Sequence, residues 1–247
     1  MNSKKDNKQS DLNWKPSSKA SSQPELLNWY EVMPKKFLTK QHNPNFEKHG
    51  LKIPFRMLII GNSGAGKTQT LLNIIHNMNG TFNNIFIITK NKDEPLYNYL
   101  EDKLDKDSLK IVEGVAKAPN LEKDIDKKDQ TLIVMDDLVL EKNQSALEEY
   151  FIRARKLNCS LIYISQSYYR VPRMIRQNLN YLVIKQVSSF KDLYRIMAEY
   201  TLGVEKQELK KLYESSTKEK QDFLLVDLDA NPQDRFRKNF SEIYDLN

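Results

Sequence analysis

A single cysteine, Cys159, is present in the 247 residues, so the chain closes no intrachain disulfide and builds no cysteine-based metal site. Cys159 falls in the apolar run Cys159-Ser160-Leu161-Ile162-Tyr163-Ile164, where a small buried residue is expected. No apolar run approaches the ~20 residues that a membrane-spanning helix needs. The first residues, Met1-Asn2-Ser3-Lys4-Lys5-Asp6, lack the apolar core of a secretory signal, so none is expected. No internal repeat is present either. These absences point to an intracellular protein that is not secreted.

One further absence is local. Residues 153–176 carry Arg153, Arg155, Lys156, Arg170, Arg173 and Arg176 and no acid at all. Residues 1–50 carry nine lysines against Asp6, Asp11, Glu25, Glu31 and Glu47. The net charge of +6 is therefore uneven, and the remainder of the chain is negative. Positive charge gathered in an arm and one internal segment fits a polyanionic partner. For the arm alone, solvated lysines on a polar tail explain the charge equally well.

The length, with 39% hydrophobic and 29% charged residues, suits one α/β domain with appendages. Residues 1–50 are rich in Lys, Ser, Asn, Gln and Pro and read as a basic, largely disordered arm, interrupted by Trp14 and by Leu26-Leu27-Asn28-Trp29-Tyr30. Tryptophans in a polar arm read as docking anchors. From residue 51 to 226 the pattern alternates. Short apolar runs predict strands over 56–60, 85–89, 109–112, 131–135, 159–164, 181–185 and 222–226. Helices are predicted over 67–79, 94–103, 143–157, 172–178, 189–200 and 205–214. Continuous apolar strands separated by helices imply an α/β fold with a mostly parallel central sheet flanked by helices. The stretch 117–130 reads as a surface loop, and 227–247 as a tail, either flexible or a clamp on a neighbouring subunit.

Gly61-Asn62-Ser63-Gly64-Ala65-Gly66-Lys67-Thr68 satisfies G-x-x-x-x-G-K-[ST] at every fixed position, between the predicted strand 56–60 and the predicted helix 67–79. That order aims backbone N–H groups and a helix N-terminus at phosphate. Residues 61–69 are thus the candidate nucleotide-binding segment. Lys67 is placed to reach the β- and γ-phosphates, and the Thr68 hydroxyl to ligate Mg²⁺. A glycine-rich turn alone would not explain Lys67-Thr68.

A phosphate loop needs a metal partner at the end of another buried strand. Leu132-Ile133-Val134-Met135-Asp136-Asp137 supplies one. Asp136 is the candidate Mg²⁺-holding acid, and Asp137 the candidate for polarising the attacking water. The strand 159–164 ends in Ser165-Gln166-Ser167, and the Gln166 amide can donate to a phosphate and accept from water at once. The nearby arginines suit either a transferring phosphoryl group or DNA phosphates.

The order GNSGAGKT, TLIVMDD, RARKLNCSLIYISQS and then the Pro-containing 171–178 resembles the viral genome-packaging ATPases of poxviruses, giant DNA viruses and virophages, within the FtsK–HerA superfamily. The resemblance covers about residues 53–200. It implies a RecA-like (ASCE) P-loop ATPase that uses ATP and Mg²⁺. A basic segment, a strand-ending Gln and an Arg-x-Asn follow in that family, and fall here on Arg153/Arg155, Gln166, and Arg176 with Asn178; Arg155, Gln166 and Arg176 join Lys67, Asp136 and Asp137 as candidate catalytic residues. Where the family often has Arg-His, this chain has Arg155-Lys156, so no role is carried over to that second position. The resemblance implies a homo-oligomeric ring (pentamer or hexamer) and double-stranded DNA driven into a preformed capsid. It also implies a capsid or capsid-vertex partner and work in the host cytoplasm, at a viral factory or with the virion. Alternatives are another FtsK–HerA-type DNA pump or helicase, a P-loop nucleotide kinase, and a non-hydrolysing nucleotide-gated assembly protein.

Overall fold

A computed structural model describes residues 26–38, 40–141 and 143–245, in two compact units that divide at Leu38 and Thr39. Trp14 lies outside the described residues. In the first unit a short helix, α1 (Trp29–Val32), is capped by the Asn28 side chain, which accepts from the Tyr30 N–H. Leu26, Tyr30 and Phe37 there are exposed.

The second unit is built on one nine-stranded sheet. Its first six strands in sequence are β1 (Arg56–Ile60), β2 (Asn84–Thr89), β3 (Leu109–Glu113), β4 (Thr131–Asp136), β5 (Cys159–Ser165) and β6 (Tyr181–Ile184). They pair in parallel in the order β3-β2-β4-β5-β1-β6. Then β7 (Leu224–Asp227), β8 (Phe236–Lys238) and β9 (Glu242–Ile243) add antiparallel strands beyond β6. The parallel core is apolar without alternation because both faces are covered. On one face Met57 and Ile59 meet Leu71, Ile74, Tyr97 and Leu100 of α3 (Lys67–Asn77) and α4 (Pro95–Lys103). α2 (Phe46–His49) precedes β1. On the other face Leu58 and Ile60 share a core with residues of α5 (Gln144–Arg153), α7 (Phe190–Glu199) and α8 (Lys206–Ser216). The short α6 (Arg173–Arg176) lies between β5 and β6. Helix starts follow local chemistry: Asn143 and Ser189 cap α5 and α7 with side-chain acceptors, and Pro95 sits in the first turn of α4.

Three stretches differ from expectation. The arm expected over 1–50 stops short: residues 40–50 belong to the second unit, and His49 is buried, its Nδ1 accepting from the Leu51 N–H at 3.0 Å. The 117–130 loop sends Leu121 and Ile125 into the core against Leu147 and Phe151. The charge-rich segment read as a tail contributes β8 and β9. Arg237 is buried there because it meets the equally buried Asp227 at 2.9 Å, a partner that local charge density conceals. Among the described residues no helix is long and apolar enough to cross a membrane.

Candidate functional site

Parallel strands all deliver their C-terminal ends to one edge of the sheet, and the loops there form the site. The phosphate loop leaves β1 pinned on both sides: Gly61 N–H donates to Ser165 O on β5 (3.3 Å), and Asn62 N–H to Gln186 O beyond β6 (2.8 Å). Gly64 and Gly66 adopt φ of +73° and +82°, where a side chain would be strained, and Gly66 is the residue from which α3 starts. Lys67 Nζ donates to the carbonyls of Gly61 (2.9 Å) and Asn62 (2.7 Å).

Lys67, Thr68, Gln69, Asp136, Asp137 and Gln166 line a single cavity of about 450 Å³ together with Ser63, Gly64 and Gly66. That volume is in the range of small-molecule sites. Three separate stretches of the sequence, 63–69, 136–137 and 166, thus converge. Ala65 is buried beneath the loop, and neither Gly61 nor Asn62 lines the cavity; both shape it from behind.

Asp136 ends β4, in register with Thr89 on β2 and Ile164 on β5. Its Oδ2 accepts from the buried Tyr97 hydroxyl at 2.7 Å. Burial raises the Asp136 carboxyl above the usual carboxylate range; the Tyr97 hydrogen bond and Lys67 oppose that rise, while Asp137 adds to it. Burial likewise lowers Lys67, against the pull of Asp136 and Asp137. Asp137 sits at φ +53°, a conformation Asp tolerates better than most residues, with its N–H on Ile164 O at 3.1 Å. The same turn brings its Oδ2 to Gln166 Nε2, 3.1 Å away.

No group of three or more His, Cys, Asp or Glu able to hold a metal occurs among the described residues. Mg²⁺ does not require one: it keeps waters and takes one or two protein oxygens plus phosphate. A threonine hydroxyl and one carboxylate opening on a cavity that holds a lysine fit that donor set.

The arginines do not join the cavity. Arg155 is exposed on the 3₁₀ turn Ala154–Leu157 that precedes β5, so it belongs to the opposite sheet edge, where its charge acts on Arg56. Arg176 is buried: its Nε donates to Val171 O at 3.0 Å, its guanidinium pairs with Glu199, and it lies 5.1 Å from the Tyr168 ring centre. The guanidinium is thus held in a buried ion pair outside the cavity. It departs from the catalytic position expected for Arg176. Asn178 accepts from Arg56 at 3.2 Å on the same side as Arg155. Arg153 is neutralised by Glu122 and Glu149. The acid-free look of 153–176 is thus a property of the sequence, since acids arrive from α5, α7 and the 117–130 loop.

Sequence reasoning missed Tyr97, Thr89, Lys90, Asn91, Glu94, Leu96 and Lys220, all at the cavity or its rim. Thr89 carried a weak signal, being the polar end of a buried strand. Tyr97 carried none, since a tyrosine in an amphipathic helix reads as core.

The sequence pattern of the family described as Poxvirus A32 protein matches residues 43–227. DNA packaging protein OPG160 of Variola virus is 28% identical over 154 residues, covering 56% of this chain and 55% of that protein. The Vaccinia virus (strain Copenhagen) protein of the same name matches with the same figures. The chain therefore spans about half the length of these relatives. In fold it is similar to the genome packaging NTPase B204 of Sulfolobus turreted icosahedral virus 2, solved in complex with ATP-gammaS. The TM-score is 0.53 and the identity 14%, over 76% of this chain and 98% of that one. Fold, motif order and family pattern agree: the chain has a P-loop α/β fold and belongs to the Poxvirus A32 protein family.

Proposed function

We propose that this chain hydrolyses ATP to translocate double-stranded DNA during packaging of a viral genome. The observation that carries the reading is the convergence of Lys67, Thr68, Asp136, Asp137 and Gln166 on one cavity. The kinship with a DNA packaging protein and the likeness in fold to a genome packaging NTPase support the same activity here.

In this reading the loop N–H groups and α3 hold the phosphates, and Lys67 turns from the Gly61 and Asn62 carbonyls to the phosphate tail. Thr68 and Asp136 would hold Mg²⁺, which when bound neutralises charge on the phosphate oxygens. Tyr97 keeps the Asp136 carboxylate oriented and ionised. Asp137 accepts a hydrogen bond from the attacking water, and Gln166 aligns that carboxylate. Arg155, on the far edge, serves the site of a neighbouring subunit in a ring. Arg170 and Arg173, both exposed and without an ion pair among the described residues, face DNA phosphates. A capsid protein completes the assembly in the host cytoplasm.

Steady-state ATPase rates with and without duplex DNA, at two salt concentrations, test the reading. Stimulation by DNA at low salt, lost in Lys67→Ala, is expected. Turnover indifferent to DNA would overturn it, and product formed only with an added nucleoside monophosphate would favour a kinase.

A further inference from the structure

Lys185 is 1% exposed, just past the end of β6 and directly behind the phosphate loop. A buried ammonium is costly unless its donors are satisfied. Here all three are: Nζ donates to the carbonyls of Lys220 (2.8 Å), Gln221 (2.9 Å) and Asp222 (3.0 Å). Burial pushes its pKa down to about 8 while Asp222 holds it up, so the cation persists at neutral pH.

The stem of Lys185 also closes on the loop. A Cβ at Gly61 would lie 2.6 Å from Lys185 Cβ, and one at Gly66 would lie 3.5 Å from the Lys220 carbonyl oxygen. Neighbouring residues repeat the tie. Ser188 Oγ bonds Asn62 Oδ1 at 2.6 Å, and Gln186 Nε2 donates to Thr217 O at 2.9 Å. The turn 217–222, which joins α8 to β7, is thereby fixed against the phosphate loop. Its exposed Lys220 side chain lines the same cavity as Gly66, Lys67 and Thr68. In the order β4-β5-β1-β6-β7, this turn and Asp136 flank the loop from opposite sides.

We propose that residues 217–222 form a second wall of the nucleotide site, in which Lys220 contacts the phosphate tail and Lys185 is the residue that positions it. The proposal rests on the reading of the cavity as an ATP site. Asp136, Asp137 and Gln166 act on the side where hydrolysis occurs. Lys220 acts on the other side, in binding.

Titration of the full chain with a fluorescent ATP analogue tests this, alongside steady-state kinetics. Lys220→Ala is expected to weaken binding about tenfold, the order of one charge-assisted contact, raising KM with little change in kcat. Lys220→Glu is expected to weaken it more, since it reverses the charge. Lys185→Met should weaken binding by a similar factor and Lys185→Arg should restore part of it. The Lys185→Met/Lys220→Ala double variant should be no weaker than the worse single, because one residue acts through the other. Unchanged binding in Lys220→Ala and Lys220→Glu would overturn the proposal even if Lys185→Met fails to fold. Additive losses in the double variant would overturn the positioning role. Lys67→Ala separates the two readings: if it binds the analogue as the parent does, the ATP site itself is wrong, whereas its loss of binding beside an unaffected Lys220→Ala rejects only the second wall.

Discussion

Gln166 Nε2 donates to Asp137 Oδ2 across 3.1 Å, joining the ends of two adjacent strands, β5 and β4. The two residues are 29 positions apart in sequence, and only the parallel register brings them together. An amide donor fixes the orientation of the carboxylate. If Asp137 polarises the attacking water, Asp137→Asn should lower kcat by about 10²–10⁴-fold with KM little changed, in the range of general-base contributions. Gln166→Glu replaces that donor by a like charge, so the Asp137 carboxylate loses its alignment and kcat should fall with KM little changed. A parent-like kcat in Gln166→Glu would show that the contact has no bearing on turnover.

Tyr97 gives an independent handle, on pH. Its hydroxyl donates to Asp136 Oδ2, and that bond works against the burial that raises the Asp136 pKa. Removing it in Tyr97→Phe must therefore raise the pKa further. The ionised carboxylate is the form that would hold Mg²⁺, so the acid limb of ATPase activity is expected to shift upward and the Mg²⁺ requirement to increase. A titration of rate against pH at saturating ATP decides it; an acid limb that stays in place means that Tyr97 is only packing.

The strand-and-helix order and the chemistry of the loop were readable because both are local. Buried parallel strands announce themselves as unbroken apolar runs, and 61–68 carries its own spacing rule. What could not be read depends on partners far away in sequence. The sheet membership of 236–238 rests on Arg237 reaching Asp227, and the Tyr97 contact on α4 packing across the end of β4. The arginine segment misled for the same reason: Arg176 looked free because Glu199 lies on a different helix. Convergence of Asp137 and Gln166 follows from strand order, which motif order only implies.

The sheet-edge positions of Asp136 and Arg155 make a complementation test available. Asp136→Asn replaces a desolvated carboxylate by a neutral isostere. Because the folded state raises the Asp136 pKa, it favours the proton, and stability is lost as the pH rises through that raised value. At neutral pH the substitution should thus stabilise the fold by about 0.5–2 kcal/mol while abolishing turnover, the usual trade at a functional site. Thermal melting and an ATPase assay read both effects. If Arg155 serves a neighbouring subunit, Arg155→Ala is also inactive alone, but mixtures of the two inactive proteins regain activity at mixed interfaces. No recovery at any mixing ratio would rule out action in trans.

Arg176 separates structure from catalysis most directly. It is 7% exposed and satisfied by Glu199, the Val171 carbonyl and the face of Tyr168, and Tyr168 in turn donates to Glu199 at 2.7 Å. Removing one partner leaves the other charge desolvated and unpaired. Arg176→Ala should cost roughly 3 kcal/mol of stability, read as a fall in Tm. Arg176→Met with Glu199→Leu removes both charges and keeps the volume, so it should recover much of the loss. The rate per folded molecule should then equal that of the parent, because nothing in the nucleotide cavity has changed. A double variant that folds well but turns over ATP a hundredfold more slowly would return Arg176 to the catalytic set, as the Arg-x-Asn resemblance first had it.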